Sequence, residues 1–239
     1  MPCRRSWLIQ SVLPSTQHQD KPSEKADVLV LDLEYSVATR LKSRARQALR
    51  EQLLNLDAIQ QSAFVRIDWS TRWADVRAAM YRGIQGLVLP GPENPEDIAD
   101  IDTLMSQMER ERGLNQGSTQ IVLMLESARG FWNAQSLAQA SPRVSALGVG
   151  RIDLTMDLKP LPQNEFRLSR YLMSRTVVAA RMLGKQPLGA FWRPGTRGGV
   201  ANPTQTQEAA REAQLMGYRG SFCVNPDQVA AINHGFSSE

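Results

Sequence analysis

The chain has 239 residues, of which 42% are hydrophobic and 22% charged, ordinary values for a soluble globular protein that folds as one domain over residues 1–239. No apolar run approaches the roughly 20 residues needed to cross a bilayer, and the 28 basic residues behind the net charge of +4 are scattered, so membrane and nucleic-acid partners are not expected. The two cysteines have no motif spacing and the N-terminus lacks the features of a signal peptide, which indicates a cytoplasmic location.

Short apolar, β-branched runs recur along the chain, with helical patterns between them. Strands are predicted at Trp7–Gln10, Val28–Glu34, Phe64–Asp68, Gly86–Pro90, Ile121–Glu126, Ala146–Val149, Leu188–Trp192 and Phe222–Asn225. Helices are predicted at about Ala38–Leu56, Trp73–Arg82, Pro95–Arg112, Phe131–Gln139, Glu165–Leu183 and Thr204–Met216. The repeated order of strand and helix predicts a parallel sheet, and eight strands favour a closed (β/α)₈ barrel. An open doubly wound sheet is the alternative, although no Gly-rich phosphate loop follows an early strand.

Residues at the predicted helix ends agree with these boundaries. Pro95 is followed by two acids at the positive end of one helix, and Gly113 and Gly184 follow the ends of two others. The Gly- and Pro-rich segment Arg193–Pro203 is predicted to be a loop, which either contributes to an active site or is a mobile connection without chemistry. The basic run Arg40–Arg50 is interpreted as the solvated face of a helix.

Two acidic residues follow successive predicted strands. The segment Ile121–Gly130, I-V-L-M-L-E-S-A-R-G, indicates a buried strand that ends at Glu126, and A-L-G-V-G-R-I-D-L leads in the same way to Asp153. Each position would bury an unpaired charge unless a cation or a hydrogen-bond donor were present. Two hard oxygen ligands at neighbouring strand ends therefore predict a Mg²⁺ site.

Other side chains at strand ends would surround the same mouth of the barrel. They are Glu34, Arg66 with Asp68, Pro90, Trp192 and Asn225. Arg66 lies in the apolar run F-V-R-I-D and needs an anionic partner. That partner is either Glu34 or Asp68 in an ion pair, or a substrate carboxylate or carbonyl held by the planar guanidinium; the two interpretations can coexist.

Several other kinds of chemistry are disfavoured. His18 and His234 have no partners at ligand spacing, which argues against zinc. No serine nucleophile elbow or Cys–His signature is present, and Cys223 is expected in the core because its strand is apolar. The five tryptophans are interpreted as packing residues.

Seven motifs occur in an order that resembles a known family. They are R-R-S-W-L, K-A-D-V-L-V-L-D-L-E, V-R-I-D, L-V-L-P, L-E-S-A-R-G, G-V-G-R-I-D-L and M-G-Y-R-G-S-F-C-V-N-P-D-Q-V-A-A-I-N. Together they are similar to the citrate lyase beta-subunit-like branch of the HpcH/HpaI aldolase family, over about Arg4 to Phe236. The joint order is more specific than any single motif.

The resemblance implies a (β/α)₈ TIM barrel of the phosphoenolpyruvate/pyruvate type, here lacking the usual C-terminal extension, in a trimeric or hexameric homo-oligomer. It also implies Mg²⁺ and an acyl-coenzyme A thioester substrate. By this resemblance Glu126 binds metal and substrate, Asp153 binds metal, Arg66 binds substrate, and Glu34 lies in the substrate pocket.

The sequence also departs from the family pattern. Two family acids are replaced by Tyr35 and Ile152, two lysines by Gly91 and Ser221, and a histidine by Asn225. Ser11 and Val12 stand where the family has a glycine-containing turn.

The resemblance implies a Mg²⁺-dependent lyase that cleaves a hydroxyacyl-CoA or related hydroxy acid by retro-aldol or Claisen chemistry, with Glu126 and Arg66 as catalytic residues. The alternatives are a catalytically degenerate metal- and ligand-binding protein and an acyl-CoA thioesterase.

Overall fold

The computed structural model describes residues 4–13, 24–192 and 201–237. Eight strands are present, and all of their pairings are parallel. They are β1 (Ser6–Ser11), β2 (Val28–Asp32), β3 (Ala63–Arg66), β4 (Ile84–Pro90), β5 (Gln120–Leu125), β6 (Val144–Val149), β7 (Gln186–Leu188) and β8 (Ser221–Cys223). Strands β2, β3, β5, β7 and β8 end earlier than predicted, whereas β4 and β6 end as predicted and β1 extends one residue further. The residues beyond the early ends form the connections.

The strands form one curved sheet in the order β7-β6-β5-β4-β3-β2-β1-β8. Backbone hydrogen bonds just outside the last two strands bring the sheet edges together: Gly189 N donates to Gly220 O at 2.8 Å, and Arg219 N donates to Pro187 O at 3.1 Å. The sheet is therefore a nearly closed barrel. This confirms the (β/α)₈ prediction, and the open doubly wound alternative is wrong.

Helices follow most of the strands. They are α1 (Lys42–Ala58), α2 (Arg72–Ala79), α3 (Pro95–Arg112), α4 (Ala128–Trp132), α5 (Ala134–Gln139), α6 (Arg151–Leu158), α7 (Glu165–Met182), α8 (Pro203–Leu215) and α9 (Gln228–Gly235). The bounds of α3 agree with the prediction, and Gly113 ends it in the left-handed conformation with φ of 64°. The predicted helix Phe131–Gln139 is two short helices that meet at Asn133. Helices α6 and α9 were not predicted.

Alternate residues of the strands pack into two apolar layers, one inside the barrel and one between the sheet and the helices. Val28 and Val30 point into the barrel, where Trp7 packs against Phe64 with ring centroids 4.8 Å apart. The intervening positions of the strands face the helices. Cys223 is buried, as expected.

The packing interpretation of the tryptophans is confirmed for Trp7 but wrong for Trp132, whose side chain is 85% exposed. The predicted loop Arg193–Pro203 lies largely outside the described residues, and its last residue begins α8. Among the described helices, none has the length and apolar character needed to cross a membrane.

The basic run before and within α1 is only partly a solvated face. Lys42 is buried, donates to Leu33 O at 2.6 Å and pairs with Asp68. Arg46 pairs with the buried Asp75 at 2.6 Å. These cations hold the β2–α1 and β3–α2 connections, so the predicted solvated face is wrong for both residues.

Candidate active site

Asp32 is the last residue of β2 and is only 1% exposed. Its carboxylate accepts hydrogen bonds from the backbone N–H groups of Glu34 and Ser36, each at 2.9 Å, and from Arg66 Nε at 2.8 Å. Burial raises the pKa of Asp32, but the hydrogen bond and charge of Arg66 outweigh it and the pKa is lowered. The ionised carboxylate therefore fixes both the β2–α1 turn and the guanidinium.

Arg66 is the last residue of β3 and is largely buried. Besides Asp32, its guanidinium meets Glu34, with Nη1 3.3 Å from Oε2, and its carbon Cζ lies 5.1 Å from the ring centre of Tyr35. The predicted ion pair with Glu34 is confirmed. The predicted pair with Asp68 is wrong, because Asp68 pairs with Lys42 instead.

Glu126 directly follows β5, as predicted, and its side chain lies against the backbone of Gly150. A Cβ atom at residue 150 would lie 2.2 Å from Cγ and 2.6 Å from Oε1 of Glu126, a spacing that atoms do not adopt. Only glycine therefore leaves room for the carboxylate here. Burial, followed by the charges of Glu34 and Asp153, raises the pKa of Glu126 to about 8.

Asp153 is not at a strand end. β6 ends at Val149, and Asp153 is the third residue of α6, so the prediction of a strand tip is wrong. The β6–α6 connection nevertheless returns the side chain to the mouth of the barrel, where it accepts a hydrogen bond from the Tyr35 hydroxyl at 2.9 Å. A carboxylate in the first turn also interacts favourably with the positive end of the helix.

The mouth of the barrel holds more negative than positive charge. Burial raises the pKa of Glu34 to about 7; Arg66 opposes this shift, while Asp32 and Asp153 add to it. Glu34 Oε2 is buried and accepts no hydrogen bond from the described residues. One guanidinium thus faces Asp32, Glu34 and the charge of Glu126. A cation would relieve this imbalance.

The carboxylates fit a magnesium ion rather than an ion enclosed by protein ligands alone. No group of three or more His, Cys, Asp or Glu side chains within the described ranges is close enough to hold a metal. Mg²⁺ characteristically takes one or two carboxylates and completes its octahedron with water and substrate oxygens. The buried oxygen of Glu34, which has an ion pair with Arg66 but no hydrogen bond from the described residues, and the raised pKa of Glu126 are consistent with such a site.

A family model described as HpcH/HpaI aldolase/citrate lyase matches residues 14–226. The chain belongs to this family. Among curated proteins, the HpcH/HpaI chain is 29% identical to the citrate lyase subunit beta of Leuconostoc mesenteroides subsp. cremoris, over 87% of its own length and 68% of the relative's. It is 26% identical to an L-malyl-CoA/beta-methylmalyl-CoA lyase of Cereibacter sphaeroides, over 89% and 72%. These family relatives are lyases.

A solved structure extends the likeness in fold. The citrate lyase beta subunit of M. tuberculosis, complexed with oxaloacetate and magnesium, aligns with a TM-score of 0.71 at 22% identity, over 99% of this HpcH/HpaI chain and 98% of the other. At this identity the comparison establishes the shared barrel.

Sequence reasoning missed three features of the HpcH/HpaI site. Asp32 could have been recognised because it interrupts an apolar run two residues before Glu34, which places both on one face of a strand. Tyr35 was noted only as a substitution, and nothing in its local sequence indicates a bond to a residue 118 positions away. Gly150 was seen only as part of a motif.

Proposed function

We propose that the chain is a Mg²⁺-dependent carbon–carbon lyase that cleaves a hydroxyacyl-CoA or a related hydroxy acid. The proposal depends on one observation: Glu126, at the mouth of the barrel, lies within electrostatic reach of Glu34 and Asp153 as well as Arg66. The membership of a family with lyase relatives supports the reaction class.

Glu126 and Asp153 would hold the metal, and Glu34 would reach it through water. A bound Mg²⁺ supplies Lewis-acid polarisation of a substrate oxygen and a template for its orientation. Gly150 gives Glu126 the space it would need to reach the ion, and the first turn of α6 carries Asp153.

Arg66 would stabilise the negative charge that develops on the acyl fragment when the carbon–carbon bond breaks. Asp32 holds Nε at 2.8 Å and Glu34 lies near Nη1, so the remaining Nη2 edge is the one that can turn to substrate. A preorganised donor of this kind is typically worth about 3 kcal/mol of transition-state stabilisation. Since Asp32 is buried and pairs with Arg66, the guanidinium is already oriented before substrate binds.

The substrate class rests on the relatives. Their names specify citrate and malyl-CoA, hydroxy acids or hydroxyacyl thioesters that break into two carbonyl-containing fragments. The M. tuberculosis relative was solved with oxaloacetate, an oxo acid. We therefore propose a substrate that carries a carboxylate next to the oxygen polarised by the metal.

A second candidate is a metal- and ligand-binding family member without lyase activity. Tyr35 favours it, because the hydroxyl bonds to one of the two proposed metal ligands and the ring covers Arg66. This chain also has Gly91, Ser221 and Asn225 where the family has two lysines and a histidine. None of these three side chains can transfer a proton at neutral pH.

The deciding experiment is an assay of purified protein with Mg²⁺ and a panel of hydroxyacyl-CoAs and free hydroxy acids, followed by product chromatography. We expect an acyl-CoA shortened by the departing oxo acid. Release of free CoA alone would indicate a thioesterase, and saturable binding without turnover would indicate the second candidate; either result contradicts the lyase. Chelation by EDTA and the variant Glu126→Gln are the controls.

We also propose that the chain forms a homo-oligomer, either trimer or hexamer. Tyr171, Val178 and Met182 are exposed along one face of α7, at the i, i+7 and i+11 spacing that aligns side chains on a helix. Such an apolar stripe is characteristic of a protein–protein contact. Light scattering coupled to size-exclusion chromatography tests this proposal, and a monomer would contradict it.

A further inference from the structure

A second concave site lies at the other end of the barrel. The cavity has a volume of about 440 Å³ and is entered between the N-terminal ends of β1, β5, β6 and β7. Gln120 begins β5 at this end, whereas Glu126 follows the same strand at the candidate active site. A six-residue strand spans roughly 20 Å, so the two sites are separate.

Four cationic side chains line this cavity, and none of the described residues in its lining is acidic. They are Arg4, Arg181, Lys185 and Arg219. The four come from different parts of the fold: the residues before β1, the last turn of α7, the α7–β7 connection and the residues before β8. Their convergence is therefore produced by the tertiary fold and is not the solvated face of one helix.

Arg4 is partly buried, and its hydrogen-bond partners among the described residues are neutral. Its guanidinium donates to the side-chain oxygens of Gln120 and Gln85, each at 2.9 Å, and covers the ring of Phe64 at 5.1 Å. It forms no ion pair with a described carboxylate. Burial lowers the pKa of Arg4, and the charge of Asp27 opposes this shift.

A nearby arginine shows what a compensated site looks like in this protein. Arg143 also precedes a strand at this end of the barrel, and it pairs with Asp102 at 2.5 Å and Glu109 at 2.7 Å. The fold thus supplies carboxylates where a buried arginine is structural. For Arg4 it supplies the side-chain oxygens of two glutamines instead.

We infer that this cavity binds a phosphate-bearing small anion, such as a polyphosphate or the phosphate chain of a nucleotide. Guanidinium groups match phosphate oxygens in pairs, and several converging cations raise the local concentration of anions. The volume is within the range of small-molecule sites and exceeds what a single phosphate needs.

Calorimetric titration of the full chain with inorganic tripolyphosphate, in EDTA and without Mg²⁺, tests this inference. We expect saturable binding that weakens as salt rises. Lys185→Gln should weaken it at least tenfold, whereas Arg44→Gln, which removes one exposed charge from α1, should leave it within twofold. Equal weakening by both variants, or no saturable binding at millimolar concentration, would overturn the inference.

Two further titrations locate the site and identify the ligand. Glu126→Gln should retain tripolyphosphate binding, because the acidic mouth is not involved; loss of binding in this variant would place the anion there and contradict the inference. ATP is then compared with tripolyphosphate. Equal affinity for ATP and tripolyphosphate would show that the cavity recognises the phosphates alone. Tighter binding of ATP, lost in Lys185→Gln, would show that the cavity binds a nucleotide.

Discussion

Two clusters of acidic and basic residues occupy opposite ends of the barrel, and their charge balance differs. At the N-terminal end, Arg143 donates to both carboxylate oxygens of Glu109, at 2.8 and 2.7 Å, and to Asp102. Burial would raise the pKa of Glu109, but the Arg143 hydrogen bonds and the backbone N–H of Gly117 lower it to about 2. At the mouth, burial and the charges of Glu34 and Asp153 raise the pKa of Glu126 to about 8. Compensated carboxylates stabilise the fold, and uncompensated ones are available to bind a ligand.

The largest effect is expected from breaking the compensated cluster. Glu109→Gln leaves the buried Arg143 with half of its charge partners and should lower the free energy of unfolding by about 3 kcal/mol. Urea unfolding followed by circular dichroism measures this change. Glu111→Gln, an exposed acid on the same helix, is the control and should change stability by less than about 0.5 kcal/mol. A small change in stability in Glu109→Gln would contradict the claim that this compensated cluster stabilises the fold.

Glu126→Gln should impair metal binding and leave the fold intact. It removes a proposed metal ligand, so Mg²⁺ affinity should fall by more than about 100-fold, while the circular dichroism spectrum stays unchanged. Calorimetry, or Mn²⁺ binding followed by electron paramagnetic resonance, provides the readout. Glu51→Gln on α1 is the matched control. Unaltered metal affinity in Glu126→Gln would show that the ligand assignment is wrong.

The raised pKa of Glu126 predicts a pH dependence. Metal binding requires the carboxylate, so affinity should rise about tenfold per unit from pH 6 to 7 and level off above about pH 8. Proton release measured by calorimetry in two buffers checks this slope. Without metal, the folded-state pKa lies above the unfolded value, so this group should cost stability progressively as pH rises from about 4.5 to about 8. A pH-independent affinity would contradict the assignment.

Arg66→Lys tests whether the site needs only the positive charge of Arg66 or also the planar shape of its guanidinium. The ammonium keeps the positive charge but cannot hold Asp32 and offer a second planar edge to substrate, so turnover should fall about 100-fold with little change in metal affinity. Steady-state kinetics with Mg²⁺ measures the first quantity and calorimetry the second. If turnover and substrate affinity both persist, Arg66 is only a partner in structural ion pairs.

The smallest change is expected from Tyr35→Phe. This variant keeps the ring over Arg66 and removes the hydroxyl that bonds Asp153. Because Asp153 is then free of a competing donor, Mg²⁺ affinity should rise by a few fold. Calorimetry measures the shift. A decrease in affinity would indicate instead that the tyrosine hydroxyl orients Asp153 towards the metal.

The sequence predicted the barrel because each strand is a short apolar run, and it placed Glu126 at the end of β5 because the acid directly follows such a run. Asp153 shows the limit of this reasoning: it was predicted at a strand end, but α6 begins at Arg151 and the carboxylate is carried on a helix. The roles of both residues as metal ligands stay predictions. Lys42 shows the same limit. Its spacing is that of an exposed helix face, and only the contact with the distant Asp68 buries it.

The close approach of Glu126 to Gly150 has a consequence for interpreting other members of the family. A Cβ atom at residue 150 would lie 2.2 Å from Cγ of Glu126, so any other residue there requires the glutamate side chain or the loop to move. A homologue with alanine or serine at the equivalent of residue 150 should therefore hold its glutamate in a different position. If Glu126 binds a metal as proposed, this position is a useful criterion when deciding which distant sequences can place the carboxylate in the same way.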